Sequence, residues 1–147
     1  MAIRSARIMM GLAAAFIFAS GAMAKECYAP DERAQQRGFS RVVSTEGGKT
    51  LWLAGHTAIP NTPFDQQVRS IFADIDRNIK ATGGAGLADL VTMTVYITDA
   101  RLGDRFIELR KEVFRECFPA SALITVAGLA QPGLLIEIQG IAVIGSR

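Results

Sequence analysis

Glu137 stands in the middle of the apolar run LLIEIQGIAVI and is the sole charged side chain between Cys117 and Ser146. A strand shows alternate residues to opposite faces, so Leu135, Glu137, Gln139, Ile141 and Val143 share one face and Ile136, Ile138, Gly140, Ala142 and Ile144 the other. Both faces are mainly apolar, so both should be covered. A carboxylate there has two readings. It is a sheet-edge residue reaching water, or it lines a cleft, where partial burial raises its proton affinity and suits it to general acid–base work. Composition leaves both open.

Other chemistries find less support. His56 is the single histidine, so a nucleophile–histidine–acid triad would have to use it, and no marked nucleophile accompanies it. Cys27 and Cys117 with one distant histidine do not make a zinc site. There is no P-loop, G-x-G-x-x-G after a strand, G-x-S-x-G or H-E-x-x-H pattern. Gly83, Gly84 and Gly86 follow a helical stretch, where glycine serves as a cap rather than a phosphate cradle. No metal and no cofactor are expected. The cysteines could pair with each other, closing a long loop, or remain one thiol in a polar tail and one buried at a helix end.

The elements that must position Glu137 are legible in order. Residues 39–45 and 49–54, separated by Glu46-Gly47-Gly48, read as a hairpin. A helix is predicted over 63–82: Asn61 or Thr62 can cap it, Val68, Ile71, Phe72, Ile75 and Ile79 recur at helical spacing, and Gly83-Gly84 ends it. Residues 89–98 read as a strand with Val91, Met93, Val95 and Ile97 on one side. Asp99 then offers a cap to a second amphipathic helix marked by Leu102, Phe106, Leu109, Val113 and Phe114. Strands at 122–127 and 134–144 flank a turn at Gln131-Pro132-Gly133. The order is β-β-α-β-α-β-β, an α+β domain. Two helices can cover one face of such a sheet but not both, so the other face is expected to bury itself against further copies of the chain.

Residues 1–24 begin with Arg4 and Arg7, continue as a short apolar run and end in Ala22-Met23-Ala24. That pattern predicts a cleaved signal peptide and an exported, periplasmic or secreted product with no membrane segment after cleavage. Residues 25–37 read as a polar N-terminal tail, and 38–147 as the folded domain. The chain carries 16 basic and 14 acidic side chains; with Arg4 and Arg7 removed and no acid lost, the remainder balances. Basic residues alternate with acids, so no nucleic-acid partner is expected.

The C-terminal pattern F-P-A-x-x-x-x-x-V-A-x-L, a turn and L-x-I-E-I-x-x-I-A-V resembles the signature of the RidA/YjgF family. Ala54-Gly55-His56-Thr57, Gln67, Ile75-x-x-Asn78-Ile79, Gly83-Gly84, Asp89-Leu90-Val91 and Val95-Tyr96-Ile97-Thr98-Asp99 extend the likeness over about residues 38–143. The resemblance implies a chorismate-mutase-like α+β fold, a mixed sheet with two helices on one face, assembled as a homotrimer with clefts between subunits. It also implies hydrolysis of reactive 2-imino and enamino acids to 2-keto acids and ammonia without a cofactor. Glu137 matches the family's glutamate, Phe39 a position often aromatic, Gly55 the cleft-lining turn, and His56 a variable position that is either a ligand contact or a partly exposed turn residue.

The likeness departs at Ser121, where deaminating members carry arginine after Pro-Ala. Arginine grips a carboxylate with two charge-assisted bonds, and serine offers one neutral bond. Arg41, two residues from Phe39, is either a substitute or an ordinary solvated strand residue. Two functions therefore stand side by side: a deaminase with Glu137 handling a water proton and Phe39, Arg41, Gly55, His56 and Ser121 binding substrate, or a non-catalytic metabolite-binding or interaction module of the same fold.

Overall fold

A computed structural model describes residues 25–145; the expected signal peptide lies outside them. The elements run β1 (Glu26–Tyr28), α1 (Glu32–Arg37), β2 (Val42–Ser44), β3 (Lys49–His56), α2 (Phe64–Ala81), β4 (Leu90–Ile97), α3 (Gly103–Val113), β5 (Ala120–Thr125) and β6 (Ile136–Ile144), with single 3-10 turns before β4 and α3. Four strands make one mixed sheet in the order β3-β6-β4-β5, in which only β4 and β5 are parallel. β1 and β2 form a separate antiparallel ribbon.

The apolar stripe of α2 lies against one sheet face. Val68, Ile71, Phe72, Ile75 and Ile79 of α2 pack with Phe106 and Leu109 of α3 and with Met93, Val95, Ile97, Ile136, Ile138 and Ala142 of the sheet. Phe72 stacks on Phe106 at 6.2 Å and meets Phe114 edge-on at 5.6 Å, so three rings close the seam between the helices. The opposite sheet face carries Trp52, Tyr96, Glu137, Gln139, Ile141 and Val143. Trp52, 80% exposed, marks how open it is in a single chain.

Several expectations change. Residues 25–37 are no loose tail. Asp31 accepts a hydrogen bond from Ala34 N–H and starts α1, and Gly38, at φ 62°, ends it in the left-handed conformation that a Cβ disfavours. The hairpin of 39–45 with 49–54 does not form. Gly47 and Gly48, both at positive φ, lead the chain from the ribbon to the edge of the large sheet, while β1 takes the pairing edge of β2. Leu90, not Val91, enters the core, because a register shift between Leu90 and Thr92 reverses the alternation there. Neither Asn61 nor Thr62 caps α2 with its side chain; Pro63 holds the cap position. β5 and β6 flank β4 rather than each other.

Cys27 and Cys117 are joined, with Cα atoms 5.1 Å apart across 90 residues of sequence. This link ties β1 to the segment entering β5. The same junction is fixed by Ser40, whose N–H donates to Pro119 O at 3.3 Å and whose hydroxyl donates to Phe118 O at 2.5 Å.

Candidate functional site

Glu137 lies on the open face, opposite Tyr96 of β4, and is half-buried. Its neighbour across β3 is a break in the ladder: Leu53 pairs with Gly140 and His56 with Ile138, leaving Ala54 and Gly55 in the irregular stretch. The carboxylate occupies the space that a side chain at position 55 would need. A Cβ on Gly55 would overlap Glu137 Oε1 and stand 2.9 Å from its Cδ. A glycine in the bulge therefore creates the seat of the acid. Beside it Gln139 Nε2 donates to the Tyr96 hydroxyl at 3.1 Å.

The approach of β6 to this seat is set by Gln67, fully buried on α2. Its amide nitrogen donates to Thr62 O at 2.9 Å and Gly133 O at 3.0 Å, and its oxygen accepts from Leu135 N–H at 2.9 Å. One side chain thus fixes both the start of α2 and the turn into β6, at Gly133 and Leu135.

The predicted site residues separate into distinct places. Glu137 and Gly55 meet. His56 turns to the helix side, where its Nδ1 lies 2.8 Å from Ala54 O and its Nε2 3.0 Å from Asn78 Nδ2, so Nδ1–H donates and Nε2 accepts. Ser121 pairs with Met93, a core residue, and so also faces the helices, on the opposite face from Glu137. The bridge between Ser40 and Ala120 brings Phe39 beside it. Arg41 is committed elsewhere. Its guanidinium holds Asp31 at 2.8 Å and lies 5.1 Å from the centre of the Phe39 ring. This hydrogen-bonded ion pair keeps the Asp31 carboxyl below the usual range.

Ser121 and Phe39 line a cavity of about 220 Å³ with Leu123, Arg33, Arg37 and Arg110. The three arginines did not emerge from the sequence reading. Arg110 had a usable signal: it lies four residues from both Phe106 and Phe114, on the apolar stripe of α3, where an arginine cannot be simply solvated. Arg33 and Arg37 depend on α1, which is too short and polar to announce itself.

A mixed sheet covered on one face by two long helices, with a carboxylate seated over a strand bulge on the other, defines an α+β domain of the chorismate-mutase-like kind. The chain matches the family described as Endoribonuclease L-PSP over residues 29–144, and it belongs to that family, the RidA/YjgF proteins. Among solved structures it is similar to RidA from the Antarctic bacterium Psychrobacter sp. PAMC 21119, at 28% identity and a TM-score of 0.62, covering 72% of this chain and 88% of that one. It is similar to Rv2704 of Mycobacterium tuberculosis, a YjgF/YER057c/UK114 family member, at 27% identity and 0.61, covering 82% and 100%. The Rid-family protein YyfB from Yersinia pestis shares the fold at 24% identity and 0.70, covering 83% and 98%. No curated protein matches this chain.

Proposed function

We propose that this protein acts on a small imine, enamine or related metabolite in clefts between the subunits of a homotrimer, hydrolysing a 2-imino acid to a 2-keto acid and ammonia. The observation that carries the reading is the Glu137 carboxylate held over Gly55 on a sheet face that no helix covers. Packing of that face against further copies would bury Trp52, Ile141 and Val143 and enclose Glu137.

In this reaction water adds through its oxygen to the imine carbon while Glu137 takes one of its protons. Both water protons end on nitrogen as the C–N bond breaks, and no electron acceptor is needed. Purified residues 25–147 assayed on 2-iminopropanoate and 2-iminobutanoate generated in situ provide the test. Glu137→Gln should lower kcat/KM at least about tenfold, a barrier change of ~1.4 kcal/mol, with assembly intact. An unaltered rate would remove Glu137 from the chemistry.

Gly55→Ala addresses the seat itself. The three atoms nearest to such a Cβ all belong to the flexible Glu137 side chain, so stability should change by less than about 1 kcal/mol while turnover falls as far as in Glu137→Gln. A full loss of folding, or full retention of rate, would contradict this account.

Ser121 favours a second reading, a module that holds the ligand without turning it over. Ligand-dependent stabilisation without consumption of 2-iminopropanoate would decide for it. We also place the protein outside the cytoplasm, in the periplasm or secreted. Support comes from the signal-like residues 1–24 and from the Cys27–Cys117 link, which an oxidising compartment maintains.

A further inference from the structure

Arg110 bears a charge that nothing in the described chain balances. It is 3% exposed, with its guanidinium 5.2 Å from the centre of the Phe106 ring. Nη1 donates to Ser121 Oγ at 2.7 Å, Nη2 donates to Arg37 O, and buried Nε has no hydrogen-bond partner. These acceptors are neutral, and among the described residues no carboxylate forms an ion pair with it. Burial, and then the nearby Arg37, pushes its pKa down to about 10. A buried cation in this state is stabilised by any anion that reaches it.

The adjoining cavity is shaped for one. Arg33 and Arg37 join Arg110 in its lining, Phe39 and Leu123 add apolar wall, and no acidic side chain takes part. Arg37 has one carboxylate near it, that of Asp104 at 3.6 Å, which is itself 91% exposed and therefore a weak competitor. Arg33 forms no ion pair among the described residues. The short serine side chain at 121 leaves room for Arg110 to reach from α3 to β5, so the guanidinium arrives from a helix rather than from the strand.

We propose that this cavity binds a small dianion, carried either by two carboxylates or by one phosphate group, with Arg110 as buried anchor and Arg33 and Arg37 closing on it from α1. One positive charge would suit a monocarboxylate; a lining with three arginines and no acid favours a ligand with two negative charges. The volume of about 220 Å³ restricts it to a small molecule. The inference does not depend on imine turnover, because binding can be read with Glu137 removed.

The test uses residues 25–147 as native protein and as Arg110→Met, Arg33→Gln and Glu137→Gln variants, titrated with succinate and with inorganic phosphate at constant ionic strength, acetate and chloride serving as monoanion controls. Calorimetry gives Kd, and melting temperature reports stabilisation. Succinate or phosphate should bind the native and Glu137→Gln proteins equally. Arg110→Met should weaken binding at least tenfold. Arg33→Gln, at an exposed position that folding does not need, should weaken it several-fold. Succinate binding alone identifies a dicarboxylate, and phosphate binding alone a phosphate group. The proposal fails if neither binds at 10 mM, if acetate or chloride does as well, or if Arg33→Gln and Arg110→Met both bind like the native protein. Should Arg110→Met not fold, the Arg33→Gln result decides. Loss of binding in Arg33→Gln with imine turnover intact would separate this site from the reaction at Glu137.

Discussion

Removal of the Cys27–Cys117 link is expected to lower stability by roughly 4 to 5 kcal/mol, the value that loop entropy gives for a closed loop of about ninety residues. The Cys27→Ala/Cys117→Ala double variant, followed by urea unfolding beside native protein with and without reductant, measures it. The loop spans both long helices and every strand from β2 to β4, so the unfolded chain loses much freedom when it is closed. Local losses add to this. β1 has three residues and α1 six, neither able to persist alone, and both depend on attachment to the body of the fold. Reductant that leaves the unfolding midpoint in place would show that Ser40 and the β1–β2 ribbon hold this end unaided.

Gln67→Leu is expected to cost about 2 to 6 kcal/mol even though the new side chain is apolar and similar in size. The substitution removes both donors to Thr62 O and Gly133 O and the acceptor for Leu135 N–H. Gly133 O keeps a bond from Asn61 N–H at 3.0 Å, so Thr62 O and Leu135 N–H are the groups left wanting. Each such group in a buried setting costs about 1 to 3 kcal/mol. Because Leu135 precedes Glu137 by two residues, the variant should also lose turnover out of proportion to its remaining folded fraction. Chemical denaturation combined with the imine assay checks both halves. A variant of native stability would mean that water replaces the lost partners at no cost.

The long amphipathic helices and the interior strands were legible because their apolar period runs over many residues. Val68 to Ile79 keeps helical spacing for three turns, and β6 keeps strand alternation through Ile144. Short elements were not. β1 and α1 owe their existence to Asp31, Gly38 and a disulfide whose closure depends on distances that a sequence does not contain. The displacement of Val91 by Leu90 follows from a bulge, which reverses a strand's faces without changing its composition. At the candidate site, Glu137 with Gly55 was visible as an acid and a glycine, but not that one fills the space the other leaves. Arg110 was missed because arginine reads as solvent-facing unless its place on the apolar stripe is given more weight than its charge.

The position of β6 between β3 and β4 has a kinetic meaning. It is the last described strand in sequence, yet it occupies an interior place in the sheet. Until it docks, β3 has no strand neighbour in that sheet, β4 has β5 alone, and α2 covers a gap. The sheet must therefore assemble from contacts far apart along the chain, with a large loop to close before they form. During synthesis, residues through β5 would wait with an open, sticky slot, which makes this interval the one in which the protein is most exposed to mispairing.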